Sequence, residues 1–430
     1  MTLPELVSSQ AVLNAHCLRW REAGVFAFDT EFIRDDTYEA RLCLVQAIGG
    51  NDREVVLIDP MTPELDLAPF WELVTDPDVV TIVHAGKEDF EVCLRATGQA
   101  PRNVFDVQIG CGLVGYGYPL NLARIVELVR RRKLRKGQTL TDWAIRPLTE
   151  DQLRYAVEDV IHLPAIYRKL QDKLATLNRL QWAAEEFARF ESPQHYQAPI
   201  QDRVQRLKGS RSLDGLGLLV LERLVAWRDQ WAQEKNRPVR ALIRDDVLVD
   251  IARRRPKSAS ELAVMRGFPQ SRNARVVQHV LSLLEEAAAV PKSQWPVPTE
   301  IREETPMMKA TIDLLSAVTR AVCFENSVSH ELVCTTQRLR ELIDYDLGRE
   351  SEPPVLLRGW RKDFLGQGLL NLLRGRSEVH FSGWPQTPRI DVVKREKSPG
   401  KAPAAETGEQ KPRARAKRPE PVDSEAEGAA

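Results

Sequence analysis

Four short apolar runs open the chain: residues 25–29 (VFAFD), 42–48 (LCLVQAI), 54–58 (EVVLI) and 80–83 (VTIV). They are rich in β-branched or aromatic residues and bounded by turn residues, as at Gly49-Gly50-Asn51-Asp52 and Asp59-Pro60. That pattern predicts strands. The first three are close enough in sequence to be hairpin-connected and antiparallel. From Lys87 the spacing turns helical. Leu94 follows Phe90 at i+4, and Gly98 suits the position after a helix end. Leu122, Ile125, Val126 and Val129 keep the helical period. Thr149 opens another helix, with Gln152 three residues on as a capping box requires and Leu153, Ala156, Val157 and Val160 as its apolar stripe. Helical spacing runs to about Phe190, where Ser192-Pro193 ends it. Strands first, then strand–helix alternation, predicts an α/β domain over residues 1–200, a mixed sheet flanked by helices.

A polar linker follows to about Lys208, and the pattern is then helical throughout. Leu218–Trp231 reads as one amphipathic helix, broken at Asn236-Arg237-Pro238. Asp245 and Ser260 are the expected N-caps, and Gly267 the expected residue after a helix end. Residues 201–290 and 291–385 are therefore expected to form two all-α domains. The second has helices over about 307–324, 330–346 and 356–373. From Gln386 Pro, Lys, Arg, Glu and Ala dominate, which predicts a disordered charged tail over 386–430.

Composition narrows the class without naming it. Of 430 residues 43% are hydrophobic and 28% charged, which excludes collagen-like, wholly disordered and disulfide-scaffold chains. Lys+Arg and Asp+Glu both number 61, but residues 1–120 carry 8 basic against 19 acidic side chains, and residues 201–290 carry 17 against 11. An acidic lobe beside basic ones suits a protein that concentrates cations at one site and holds a polyanion next to it; it equally suits an unevenly charged, solvated surface. The six cysteines form no C-x-x-C and no zinc spacing with histidine, so reduced, buried thiols are expected. No run approaches the roughly 18 apolar residues of a membrane span, which predicts a soluble, cytoplasmic protein with no membrane partner; a monomer is the expected state.

The chemistry lies in carboxylates. Asp29 and Glu31 end the first strand, and residues i and i+2 share a face. Two adjacent carboxylates repel unless a cation lies between them, and Mg²⁺ or Mn²⁺ prefers such ligands; a strand ending at a polar turn explains the pair as well. Tyr155 and Asp159 share a helical face at a spacing of four, a pattern that a half-buried aromatic and a solvated acid also satisfy. Asp89 follows the fourth strand in a helical first turn, where the macrodipole favours an acid. Asp106 ends the apolar run Val104-Phe105 and can cap the next helix.

In this order the residues resemble the DEDDy 3′–5′ exonucleases, and three stretches are more specific. Residues 29–46 (DTEFIRDDTYEARLCLVQ), 84–92 (HAGKEDFEV) and 136–160 (KGQTLTDWAIRPLTEDQLRYAVEDV) look like the three exonuclease motifs of the ribonuclease D family. Residues 211–290 resemble the HRDC module (helicase and ribonuclease D C-terminal), through LVAWRDQWAQEKNRPVRALIRDDVLVDIARRRPKS. Residues 300–385 look like a second, weaker HRDC-like module.

The resemblance implies a ribonuclease H-like exonuclease fold. It implies two divalent cations, Mg²⁺ or Mn²⁺, with Asp29, Glu31 and Asp159 on the first, Asp29 bridging to the second and Asp89 supporting that one largely through water. Tyr155 is then expected to aim the attacking water. RNA is the implied partner, with tRNA precursors and other structured 3′ ends as substrates trimmed to 5′-mononucleotides. Lys136 and Arg146 match the motifs and are expected near the RNA; His84 matches too, though a lone histidine after a strand is more often structural; and Phe32 can stack on or pack beside the terminal nucleotide. In the HRDC module Arg253, Arg254, Arg255, Lys257, Arg266, Arg272 and Arg275 form the densest basic cluster, which suits phosphate contact more than base readout. A 3′–5′ DNA exonuclease and a non-catalytic RNA-binding scaffold are the alternatives. Deleting residues 205–430 is expected to spare turnover on short RNA.

Overall fold

The computed structural model describes residue 4 and residues 6–33, 37–134, 141–268, 274–298, 305–386 and 389–395. Lys136, Arg272 and the stretch 396–430 of the expected tail lie outside the described residues.

Six strands make a mixed sheet: β1 (Leu6–Val7), β2 (Val25–Ile33), β3 (Arg41–Gly49), β4 (Val56–Ile58), β5 (Val80–Val83) and β6 (Val104–Asp106), in the order β1-β4-β3-β2-β5-β6. The pairs β2–β3 and β3–β4 are antiparallel, as expected of neighbours joined by short turns. The pairs β1–β4, β2–β5 and β5–β6 are parallel, so helices must carry the chain between them. Helix α1 (Gln10–Ala23) buries Leu13, Cys17 and Trp20, spaced as one helical stripe. It ends at Gly24, whose left-handed φ of 67° favours a residue without Cβ. Next come α2 (Ala68–Val74), α3 (Lys87–Thr97), α4 (Val107–Leu113) and α5 (Leu122–Arg130).

The expected long helix after Thr149 is three: α6 (Glu150–Val160), α7 (Leu163–Thr176) and α8 (Leu180–Phe187). The interruptions let each helix aim its own stripe at the sheet: Val157 and Val160, then Leu163, Ile166 and Leu170, then Ala183 and Phe187. Phe26, Phe28, Phe70 and Phe90 meet at ring separations of 5.4–6.0 Å in the core. Each buried ring contributes about 2–3 kcal/mol.

The HRDC region has a core of its own. It comprises α9 (Ile200–Gln205), α10 (Gly215–Lys235), α11 (Val239–Leu242), α12 (Asp245–Arg254), α13 (Ala259–Ala263) and α14 (Ala274–Ala288), packed around Leu221, Leu224, Leu248, Ile251 and Val280. Two caps differ from expectation. Asp245 is the first residue of α12, and its carboxylate takes a hydrogen bond from buried Arg228 at 2.7 Å. Ser258, not Ser260, caps α13, because Ser258 has the extended backbone that lets its hydroxyl accept from the Glu261 N–H.

The third helical region does not stand alone. Helices α15 (Pro306–Glu325), α16 (His330–Val333) and α17 (Thr336–Asp346), with short helical turns over residues 355–373, place Ile312, Leu315, Leu332, Leu342 and Trp360 in the same core as the exonuclease sheet. A buried ion pair ties the two: Arg361 binds Glu186, and the Trp360 indole N–H donates to Glu186 at 2.9 Å. The helices over residues 306–373 are thus an extension of the first core, not a separate domain over 291–385. The expected tail boundary at 386 also moves. Strand β7 (Ser377–Ser382) pairs antiparallel with β8 (Arg389–Lys394), and Val379, Ile390 and Val392 pack on the core. The alternation Ile390, Val392 is the short apolar signal that the charged composition of this region masked.

Candidate active site

Alternation along β2 sends Asp29 and Glu31 to one face, Asp29 opposite Gln46 and Glu31 opposite Leu44 of β3. The register shifts immediately after Glu31, and such bulges re-aim side chains at sheet rims. Helix α6 starts at a complete capping box, Thr149 with Gln152, and Gln152 also donates to the Thr141 hydroxyl at 3.1 Å. That fixed start sets the rotation of α6, so that Tyr155 and Asp159 face β2. Carboxylate oxygens of Asp29, Glu31 and Asp159 lie within 4.8 Å of one another. All three are half-buried, open on one side to solvent.

Asp89 stands apart from this trio. It is buried in the first turn of α3 and accepts the hydroxyl proton of Thr30. Thr30 lies between the two metal-type carboxylates and alternates to the opposite side of the strand.

Electrostatics show what the cluster lacks. Burial, and then the charges of Asp89, Asp159 and Glu31, push the Asp29 carboxyl well above its usual range. Burial and the neighbouring acids raise Glu31 to about 8. Asp159 rises to about 7, chiefly by burial, and Asp89 to about 6, again by burial, with the Thr30 hydrogen bond pulling it down. Tyr155 is hydrogen-bonded to Asp159, and burial plus the surrounding acids hold its phenol protonated. One buried Asp159 oxygen, Oδ2, has no hydrogen-bond partner. Oxygen ligands, mutual repulsion and an unpartnered buried carboxylate oxygen together fit a hard divalent cation.

Other expected contacts have different work. Arg146 is spent on structure: its guanidinium bonds both oxygens of Asp59 at 2.8 Å and donates to the carbonyls of Cys43 and Trp143. This clamp pins the segment leading into α6 against β3. A ring nitrogen of His84 donates to the Leu120 carbonyl at 2.9 Å, where Gln108 also donates. That is a histidine holding a loop. Phe32 sits half-buried past the bulge. In the HRDC region Arg255 pairs with Asp214 at 2.9 Å, Arg254 with Asp250 at 3.0 Å, and Arg253 donates to Ser212 at 3.1 Å. Their charge is largely answered within the domain, whereas the Lys257 side chain is exposed. Sequence reasoning missed Thr30 and Gln46, whose amide reaches Asp29 at 3.4 Å. The available signal was the lone polar Gln in the apolar run LCLVQAI; the structure buries it completely.

Residues 4–175 match the family described as 3′–5′ exonuclease, and residues 218–284 match the HRDC domain. Ribonuclease D of Granulibacter bethesdensis is 34% identical over 378 residues, covering 86% of this chain and 93% of the relative. That of Pseudomonas paraeruginosa is 34% identical over 380 residues, covering 87% and 99%. The chain belongs to the ribonuclease D family. It is accordingly a hydrolase, a 3′–5′ exoribonuclease with an HRDC domain after the catalytic one. The crystal structure of Escherichia coli RNase D, an exoribonuclease involved in structured RNA processing, superposes with a TM-score of 0.76 at 28% identity, covering 87% of this chain and 99% of that one. Among the described residues no helix is long and apolar enough to cross a membrane, and all six cysteines are buried and unpaired.

Proposed function

We propose that this ribonuclease D-family chain removes nucleotides one at a time from structured RNA 3′ ends, tRNA precursors among them, and releases 5′-mononucleotides. The convergence of Asp29, Glu31 and Asp159 oxygens within 4.8 Å carries the reading. These three would hold one Mg²⁺ or Mn²⁺; Asp29 would also serve a second, which Asp89 would support largely through water. Bound there, the cations supply a lowered pKa for the attacking water and charge neutralisation at the departing 3′ oxygen.

The remaining work falls to the chain itself. Tyr155, its phenol held protonated, acts by hydrogen bonding: it orients the water rather than removing its proton. Asp159 accepts from Tyr155 and so fixes the phenol relative to the metal ligands. Thr30 holds Asp89, and Arg146 holds the approach to α6. The protein is read as a cytoplasmic monomer. Its test is a nuclease assay on matched RNA and DNA 3′ ends, with Mg²⁺ and with EDTA. Trimming of RNA that EDTA abolishes is expected. Metal-independent binding without trimming, or a preference for DNA, would sink the reading; the 2′-hydroxyl is the sugar feature that separates the two substrates.

A further inference from the structure

Arg253, Arg254 and Arg255 at the end of α12 are paired with Asp250 and Asp214, but cations on another face of the HRDC domain are not. Trp227 and Trp231 are one helical turn apart on α10, and their rings stack at 5.2 Å with 13° between planes. His279 of α14 lies against Trp227 at 5.4 Å. These rings line a cavity of about 280 Å³, whose rim carries Lys235 and Arg275, together with Glu234 and Gln230. Glu234 accepts from the Gln230 amide at 3.1 Å. Among the described residues neither Lys235 nor Arg275 has an acidic partner within ion-pair distance. Both cations are exposed, as is His279. Both indoles pack on the HRDC core with one side and are half-buried, bordering the cavity with the other.

Aromatic faces flanked by unanswered cations are the combination that binds single-stranded nucleic acid, the rings taking bases and the cations phosphates. The position adds direction. Asn236, which caps α10 directly after Lys235, accepts the backbone N–H of Tyr38 at 3.2 Å. Tyr38 belongs to the segment that follows β2, the strand of Asp29 and Glu31. The cavity therefore lies at the end of α10 that abuts the catalytic domain.

We infer that the Trp227–Trp231–His279 cavity, with Lys235 and Arg275, is a second RNA site that grips a single-stranded stretch of the substrate upstream of the 3′ end being cut. This rests on the reading that the substrate is RNA. Trp231 and His279 offer base-stacking faces, and Lys235 and Arg275 neutralise phosphates.

Binding of a roughly 20-nucleotide labelled RNA to the full chain in EDTA, where nothing is cut, isolates this site from catalysis. Lys235→Glu with Arg275→Glu changes exposed residues only. That double variant should lose about tenfold or more in affinity and flatten the salt dependence. Trp231→Ala should lose about tenfold, with Trp231→Phe retaining most of the affinity. Cleavage of a tetranucleotide in Mg²⁺ should keep its kcat in every variant. Affinities within twofold of the parent for both the charge and the Trp231→Ala variants would overturn the site. An equal loss on the tetranucleotide and the long RNA would also overturn it. Failure of the parent to trim RNA in Mg²⁺ would remove the enzymatic reading, while the EDTA binding comparison would still decide the site.

Discussion

Thr30 donates its hydroxyl to the buried carboxylate of Asp89, joining the strand of the metal-type acids to the helix behind it. That bond opposes the burial that raises Asp89 to about 6. Thr30→Val removes the donor and leaves a buried carboxylate short of a partner, at a cost of about 1–3 kcal/mol. The acid limb of the pH–rate profile should move upward and kcat should fall by roughly tenfold, while Thr30→Ser restores both. An unmoved profile in Thr30→Val would take Asp89 out of the mechanism.

Alternation along β2 made Asp29 and Glu31 legible as a pair, and the spacing of four did the same for Tyr155 and Asp159. Those are local relations, set by backbone periodicity. What remained hidden depends on partners far apart in the chain. Nothing near Arg146 announces Asp59, 87 positions away, and a motif arginine looks the same whether it meets RNA or a carboxylate. The shared core of residues 306–373 was hidden for the same reason. An amphipathic helix shows which face is buried but not against what. Strand β8 was lost because a few alternating apolar residues were averaged into a charged stretch.

Arg146 offers a direct contrast between the two roles. If it is a clamp on Asp59 and the Cys43 carbonyl, Arg146→Ala should lower stability by about 1.5–3 kcal/mol, the range for hydrogen bonds to charged groups. The slope of log affinity against log salt should stay as in the parent. A phosphate contact would do the reverse, reducing that slope by roughly 0.7 for single-stranded RNA with little change in Tm. Thermal melts and a salt titration on the same variant separate them.

Without cations, the acid cluster should destabilise the fold as pH rises. Folded Glu31 holds its proton to about 8 and Asp159 to about 7, while an unfolded chain releases both near their ordinary values of 4.5 and 3.8. Between those limits the native state binds more protons than the unfolded one, so stability falls with increasing pH. The loss begins near pH 4 and is complete near pH 8. In EDTA the Tm should therefore drop between pH 6 and pH 8. Mn²⁺ should raise it, and more at pH 8 than at pH 6. Asp159→Asn should flatten the EDTA curve. A Tm in EDTA that climbs over this range would contradict the cluster's electrostatics.

Asp29 and Tyr155 should fail in different ways. Asp29→Asn removes a charge that the cations need, so metal affinity and cleavage should collapse together, with little rescue by extra metal. Tyr155→Phe leaves the site's charge intact. Metal and RNA affinity should persist while kcat falls by on the order of 10²-fold, as for loss of a positioning group. A metal titration reads the difference: one variant shifted in affinity, the other in maximum rate only. Near-parental kcat in Tyr155→Phe would remove its role in aiming water.

The two helical regions after residue 200 should respond oppositely to deletion. The HRDC helices α9–α14 pack around their own core, so replacing residues 199–298 with a flexible Gly-Ser linker removes a self-contained unit. That protein should fold, bind Mn²⁺ and cut a short oligonucleotide with its kcat intact, while its KM for long RNA rises and loses salt dependence. Removing 205–430 instead takes away Ile312, Leu315, Leu332, Leu342 and Trp360, which fill the catalytic core, and leaves Glu186 buried without Arg361. Stripping one partner from a buried ion pair costs about 3–5 kcal/mol before any apolar loss. The truncated chain should aggregate or melt at low temperature, and its failure to cut even short RNA would be a failure to fold. Circular dichroism and gel filtration of both deletions decide the point. A soluble, active 1–204 fragment would show that the shared core is dispensable.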